Sequence, residues 1–311
     1  MPMKLQKLQT PQQIQLDRIH VPKHYTLILK KSLCQGCELC MLACPKEAIK
    51  IIKPQKTQGQ KIQKPTIDID ETKCHYCGIC NVICPYGAIT VKVNGENLIS
   101  VVEKESFPQL LREIEVDTTK CPPDCTDCEE ACPLKLIKVT VYTPDGKPVE
   151  NVKSLSKKDR KNLKVNVDIK REQCPCCRLC EFKCPKNAIH VKKIFYGTLQ
   201  IRQEKCPENC QDCLDVCPIT GALYWAEVDN KVHVDELYCV YCGICRQVCP
   251  VPEALELKRT SIRHTPVRSG AWNKALEKLA STTEMSKELK AKSLEKAVES
   301  VEKRLGWKVG V

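Results

Sequence analysis

CQGCELCMLACP at positions 34–45 and CHYCGICNVICP at positions 74–85 decide how this chain is read. Each is a run of four cysteines spaced by two, two and three residues, and each closes on a proline. Four more runs follow: Cys121/Cys125/Cys128/Cys132, Cys174/Cys177/Cys180/Cys184, Cys206/Cys210/Cys213/Cys217 and Cys239/Cys242/Cys245/Cys249, in two of which the first gap widens to three residues. Together with Cys34/Cys37/Cys40/Cys44 and Cys74/Cys77/Cys80/Cys84 they use 24 of the 25 cysteines and leave only Cys176 over.

Three thiolates this close wrap one face of a compact polynuclear centre, because the loop between them turns its backbone N–H groups inward. A [4Fe–4S] cube needs a fourth thiolate, and in two-cluster proteins the cysteine before the proline serves the other cluster of the pair. Proline has no N–H and resists continuing the helix begun at the third cysteine, so the chain is redirected there. Structural zinc favours two separated Cys-x2-Cys pairs making one tetrahedral site, which this crowding fits poorly. A disulfide framework suits small secreted domains, whereas this chain shows no secretory signal and has an odd cysteine count. Cys121/Cys125/Cys128 and Cys206/Cys210/Cys213 also match the three-cysteine signature of radical S-adenosylmethionine enzymes, but a fourth Cys-Pro follows and no long βα array accompanies it.

The crossed rule gives six ligand sets: Cys34, Cys37, Cys40 with Cys84; Cys74, Cys77, Cys80 with Cys44; Cys121, Cys125, Cys128 with Cys184; Cys174, Cys177, Cys180 with Cys132; Cys206, Cys210, Cys213 with Cys249; and Cys239, Cys242, Cys245 with Cys217. The expectation is therefore six [4Fe–4S] clusters with these 24 cysteines as iron ligands, and no catalytic residue. Cys176 is expected to be a buried thiol beside a cluster, since free cysteine packs like a small apolar residue.

The formal charge of +12 counts cysteines as neutral. An oxidised four-thiolate cluster carries roughly −2, so six bring the loaded chain near zero. The excess Lys and Arg then compensate cluster charge, and without an aromatic-interleaved basic module nucleic acid is not an expected partner. No stretch approaches the roughly 20 apolar residues of a membrane span, and the Gln-rich N-terminus lacks a signal peptide's apolar core. Low-potential clusters point to a reducing cytoplasm in an anaerobic organism. Aromatics are only 5% of the chain, so clusters are expected to stand in for a large core and the iron-free protein to fold poorly.

Short apolar strands flank every run, which predicts an α+β fold of three tandem bacterial-type 2[4Fe–4S] ferredoxin modules, strung like beads, plus a C-terminal helical tail. The segments are 1–95 (an N-terminal extension and the first module), 96–115 (a helical linker), 116–195 (the second module, with a basic insertion at 143–164), 196–260 (the third module) and 261–311 (the tail). The predicted strands are Tyr25 to Lys30, Ala48 to Ile52, Thr66 to Asp70, Ala88 to Val93, Leu136 to Tyr142, Val165 to Ile169, Ala188 to Phe195, Thr198 to Arg202, Leu223 to Val228, Lys231 to Val234 and Ala254 to Leu257. In the linker, Ser106-Phe107-Pro108-Gln109 reads as a capping box opening a helix through Leu110, Leu111 and Ile114. In the tail, Trp272, Leu276 and Leu279 share one helical face. A second helix, capped at Ser281 and Glu284, carries Met285, Leu289, Leu294, Val298, Val301 and Leu305 up to Gly306. Such stripes must be buried; docking on another subunit is the favoured expectation, packing on the chain's own body the alternative.

Tandem runs of this kind resemble archaeal polyferredoxins. The segments Cys121-Pro122-Pro123-Asp124-Cys125 and Cys206-Pro207-Glu208-Asn209-Cys210, with the tail Thr265-Pro266-Val267-Arg268-Ser269-Gly270-Ala271-Trp272, are similar to the F subunit of tungsten or molybdenum formylmethanofuran dehydrogenase. That resemblance implies a subunit with no active site of its own, conducting single electrons between external ferredoxin-like donors or acceptors and the centre that reduces carbon dioxide to formate. Its partners would be the other subunits of a large oxidoreductase complex, docked partly through the C-terminal helices. Fuller members carry four modules, and this chain has three. A polyferredoxin of a hydrogenase or heterodisulfide reductase, and an iron–sulfur redox sensor or scaffold, are the alternatives. No Gly-rich nucleotide loop, nucleophile–base pair or open metal site argues for catalysis by the chain itself.

Overall fold

The computed structural model describes residues 3–56, 61–149, 152–160, 162–267 and 270–280, with 297, 298 and 300. The fold mixes short helices with antiparallel strands, and its strand pairing is nested. Strands β1 (Lys4–Gln9), β2 (Gln13–His20) and β3 (Lys23–Lys30) precede the first cysteine run. After it come β4 (Ile49–Ile52) and β5 (Thr66–Ile69), which pair with each other, and β6 (Ile89–Val93), which returns to β3. The same nesting recurs twice. Strand β7 (Ile114–Val116) pairs with β10 (Ile189–Val191) around β8 (Ile137–Tyr142) and β9 (Lys164–Ile169). Strand β11 (Phe195–Ile201) pairs with β14 (Leu255–Ile262) around β12 (Leu223–Ala226) and β13 (Lys231–Val234). Each nest brings the end of one cysteine run beside the start of the next.

The strand β2 shows why the Gln-rich N-terminus folds. Its period-two alternation buries Ile14 and Leu16 and turns Gln13, Gln15 and Asp17 towards the other face. Paired with β1 and β3 it widens the first sheet to the order β1-β2-β3-β6, a hairpin that sequence reasoning left as an unassigned extension. The Asn94-Gly95 turn closes on reciprocal Val93–Glu96 hydrogen bonds with both turn residues at positive φ, as a two-residue hairpin demands.

Several expectations need correction. No helix opens at Ser106. The helix of the linker lies earlier, at Ser100–Glu103, and the Ser106 hydroxyl donates to the Val101 carbonyl at its end. The following residues run extended, because Gln109 and Leu111 exchange backbone hydrogen bonds with the chain just beyond β14 and Ile114 enters β7. Ala188 to Phe195 is two strands, broken where the chain passes from β10 to β11. Strand β12 stops at Ala226, and Val228 is 93% exposed. Pro144-Asp145-Gly146 forms a turn, with Gly146 N–H on the Thr143 carbonyl.

The tail's first helix, α9 (Gly270–Leu279), packs on the chain's own body instead of facing outward. It lies against α1 (Leu39–Ala43), the helix of the first cysteine run. Trp272 is fully buried, edge-on to Phe107 at 5.2 Å between ring centroids. The stripe from Met285 to Leu305 lies outside the described residues apart from half-buried Val298. Among the described residues no helix is long and apolar enough to cross a membrane.

The bead picture also fails, and one carboxylate explains why. Glu38, within the first run, is 0% exposed. It accepts from Arg246 (Nη2 at 2.6 Å, Nε at 3.0 Å) and Gln247 (3.0 Å) of the last run and from Arg259 of β14 (2.8 Å). Arg259, 3% exposed, also donates to the carbonyls of Tyr241 and Leu279, so one guanidinium ties the first run, the last run and α9 together. Gly243 makes this approach possible: its φ is +84°, and a Cβ there would stand 2.5 Å from the Glu38 carboxyl carbon. Removing one partner of such a buried pair leaves an uncompensated charge, at a cost of about 3–5 kcal/mol. Glu38→Ala should therefore lower the melting temperature, read by anaerobic calorimetry, far more than Lys120→Ala at the exposed Asp117 pair. Equal melting points for the two variants would contradict this account.

Candidate metal centres

Each run folds as a loop followed by one helical turn. The residue before the second cysteine sits at positive φ in five runs, at Gly36, Tyr76, Cys176, Asn209 and Tyr241. Gly78, Arg178 and Gly243, directly after the second cysteine, are also left-handed. Such conformations are strained for residues other than glycine and persist only where the surroundings enforce them. The turn that follows carries the third cysteine as its second residue. These helices are α1 with Cys40, α2 (Ile79–Val82) with Cys80 and α4 (Asp127–Glu130) with Cys128, then α6 (Leu179–Phe182) with Cys180, α7 (Asp212–Asp215) with Cys213 and α8 (Ile244–Val248) with Cys245.

The nesting of the strands brings the fourth cysteine of one run to the first three of its neighbour. Cys44 lines a cavity with Cys74, Cys77 and Cys80, walled by Leu27, Ile49, Ile69 and Ile79. Cys132 does the same with Cys174, Cys177 and Cys180, and Cys217 with Cys239, Cys242 and Cys245. In the reverse direction Cys84 interacts electrostatically with Cys34, Cys37 and Cys40. Cys121 is close to Cys184 and Cys125, and Cys128 to Cys121 and Cys125. Cys249 faces Cys206, Cys210 and Cys213.

Backbone amides aim at these sulfurs. The thiol groups of Cys44, Cys84, Cys132 and Cys184 each accept from the N–H four residues on, at 3.2–3.4 Å. A positive-φ residue, Glu47, Gly87, Lys135 or Asn187, turns the amide back in each case. Runs five and six differ. One extra residue precedes Ala222 and Ala254, and the Cys217 and Cys249 thiols meet the carbonyls of Ile219 and Val251 instead. The sequence carried that signal in the longer gap between Cys-Pro and the following alanine.

Burial in apolar walls disfavours thiolate, pushing Cys34 up to about 11 and Cys177, Cys213, Cys217 and Cys239 up to about 12. Such sulfurs are held as thiolates only by a positive centre between them. Among the described residues no three His, Cys, Asp or Glu side chains converge closely enough for a single metal ion. Four thiols around an apolar space, served by backbone amides, are instead the donor set of a larger iron–sulfur cube. Cys176 is fully buried at the loop position that Tyr76 and Tyr241 occupy elsewhere. It lines the cavity with Cys174 and, by hydrogen bonding, holds that thiol below its ordinary range.

Sequence reasoning missed the side chains between the sites. Arg112 donates to the carbonyls of both Cys84 and Cys174, joining the first and second nests. Buried Tyr86 lies among Cys37, Cys217 and Cys242, and its hydroxyl has no nitrogen or oxygen partner. Phe182 stacks edge-on against Tyr238 at 5.6 Å, joining the second and third nests.

A 4Fe-4S dicluster domain family matches residues 33–88 and 205–252. Among curated proteins, the indolepyruvate oxidoreductase subunit IorA of Pyrococcus horikoshii is 43% identical over 88 residues, 28% of this chain and 12% of that protein. The polyferredoxin-like subunit of the aliphatic sulfonate oxidoreductase of Pyrococcus furiosus is 31% identical over 98 residues, 28% of this chain and 55% of that one. The chain thus spans barely half or less of these relatives. It covers 77% of a ferredoxin-like protein from the nif region of Sinorhizobium fredii, at 42% identity over 52 residues, 15% of this chain. Among solved structures, it is similar to a chain of the formate dehydrogenase–heterodisulfide reductase–formylmethanofuran dehydrogenase complex of Methanospirillum hungatei. That likeness has a TM-score of 0.73 at 30% identity and covers 89% of this chain and 91% of the other. With its paired thiol loops, the chain belongs to the polyferredoxin-like 4Fe-4S proteins.

Proposed function

We propose that this chain is the F-subunit-type polyferredoxin of a tungsten or molybdenum formylmethanofuran dehydrogenase. It would hold six [4Fe–4S] clusters in three tandem modules, 1–95, 116–195 and 196–260, and act in a reducing cytoplasm without chemistry of its own. The observation that carries the relay is the crossed convergence of thiols, in which each of the six sets draws its fourth sulfur from the neighbouring run. The choice of complex is supported by likeness along nearly the whole length to a chain of an assembly whose name includes formylmethanofuran dehydrogenase. The same name includes heterodisulfide reductase, which favours a polyferredoxin of that enzyme as the second reading.

When bound, the clusters supply one-electron redox couples. The chain's own residues do the rest. Cysteine sulfurs hold the iron, amide N–H groups on those sulfurs stabilise negative charge, and Leu27, Ile49, Leu199 and Leu257 exclude water from the cavities. Buried walls lower the local dielectric and favour smaller charge, while the donors favour greater charge. Their balance fixes each potential.

Four measurements test this reading. Anaerobically loaded chain should contain roughly 24 irons, at four per cluster. Cys177→Ala should lose one cluster or convert it to a three-iron form seen by electron paramagnetic resonance, while Cys176→Ala keeps the full iron content. Zinc in place of iron, or equal losses in both variants, would contradict it. Thiols raised to about 11 or 12 are protonated throughout neutral pH, so loading must displace protons. Loading is therefore strengthened as pH rises from about 6 to 8, by about 1.4 kcal/mol per unit for each proton released; loading independent of pH would count against it. Finally, anaerobic native isolation should bring down tungsten or molybdenum with the chain. Nickel in their place would indicate a hydrogenase, and a heterodisulfide reductase purifying without either metal would favour the second reading.

A further inference from the structure

In runs two, four, five and six a cation sits on the carbonyl oxygen of the first cysteine; in run five it is half-buried Lys231, on Cys206 O at 3.2 Å. Arg18 of β2 donates to Cys74 O at 2.6 Å, with its guanidinium 5.0 Å from the Tyr76 ring centroid. Arg112 donates to Cys174 O at 3.3 Å, beside Cys176. Lys193 donates to Cys239 O at 3.0 Å and to Glu236 O, with its ammonium 5.1 Å from the Tyr241 ring centroid. Tyr76, Cys176 and Tyr241 are the same positive-φ residue of the loop. Arg112 and Lys193 each stand two residues before the strand that opens their nest, β7 or β11. In the first nest the added hairpin supplies the cation instead. Four separate arrangements thus deliver one positive charge to one place.

We infer that these cations set the reduction potentials of the sites they touch, and that Lys193 makes the site of Cys217, Cys239, Cys242 and Cys245 the first in the chain to accept an electron. The inference rests on reading the thiol sets as cluster sites, and not on which complex the chain serves. Reduction adds negative charge, so a nearby cation stabilises the reduced state more than the oxidised one. The effect grows as the charge is withdrawn from water. Lys193 is 5% exposed, whereas Arg18, Arg112 and Lys231 are only partly buried. The acidic residues near Lys193, Asp235 and Glu236, are half-buried and exposed, and water screens them. The other buried cation of that loop, Arg259, is already neutralised by Glu38.

The test is a potentiometric titration of the loaded full chain, anaerobic and followed by electron paramagnetic resonance, with iron content checked for every variant. Lys193→Gln should shift the first reduced signal downward by at least tenfold in its one-electron equilibrium, about 59 mV. Lys193→Arg, which places at this position the residue used in the other nests, should keep that signal near its original potential. Arg112→Gln should move a later signal. Lys193→Met, which keeps most of the side-chain stem and removes the charge, should lower the same first signal and decides the matter if Lys193→Gln loads poorly. Fully loaded Lys193→Gln with its first signal unmoved would overturn the inference. So would a Lys193→Arg shift equal to the Gln shift, or, where Lys193→Gln loads poorly, a Lys193→Met first signal that does not move. Wild-type chain that takes up no iron would instead remove the cluster reading beneath it.

Discussion

Buried sulfurs facing one another cannot stay ionised without positive charge between them, and the architecture follows from that constraint. Desolvation pushes the thiols of Cys37, Cys40, Cys80 and Cys245 well above their ordinary range, with neighbouring cysteines adding to it. The strained loops, the inward amides and the prolines that turn the chain away are understandable only if the space they surround is filled. The short helices make the same point. Four or five residues cannot sustain a helix alone, and among the described residues none of these turns has a side-chain cap. Each is held by the cysteine it carries and by the strand it packs on.

The second organising force joins runs that are distant in sequence. Glu38 draws Arg246, Gln247 and Arg259 onto the first loop, and α9 then covers α1. Burying a carboxylate is costly unless its oxygens are fully met. Here both oxygens accept charged donors, two from Arg246 and one from Arg259, and Gln247 adds a fourth. The satisfied carboxylate therefore specifies a register between loops more than it adds net stability. Gly243 records the same closeness from the other side, since any side chain would strike Glu38.

How much of this the sequence disclosed depends on the range of the cause. The cysteine loops were legible because the spacing of thiols, prolines and left-handed residues is a local matter. The strands around them were legible for the same reason, from Tyr25 to Lys30 through Ala254 to Leu257. Where partners are remote, the reading failed. Ser106 looked like a cap because its sequence neighbours fit one, yet its hydroxyl serves Val101 and the residues after it pair near Arg263 and Thr265. The face of Trp272, Leu276 and Leu279 was legible, but its target was not, since α1 lies at the opposite end of the chain. Arg18, Arg112, Lys193 and Tyr86 carry no motif at all.

Those unmarked residues alter what the arrangement implies for electrons. A string of beads would place the first and last runs farthest apart. Instead Tyr86 lies among Cys37, Cys217 and Cys242, and Arg112 spans Cys84 and Cys174. The site of Cys34, Cys37, Cys40 and Cys84 therefore adjoins sites of both other nests through side chains, not through the backbone. Order along the chain and order in space differ, because one buried ion pair folds the last run back against the first.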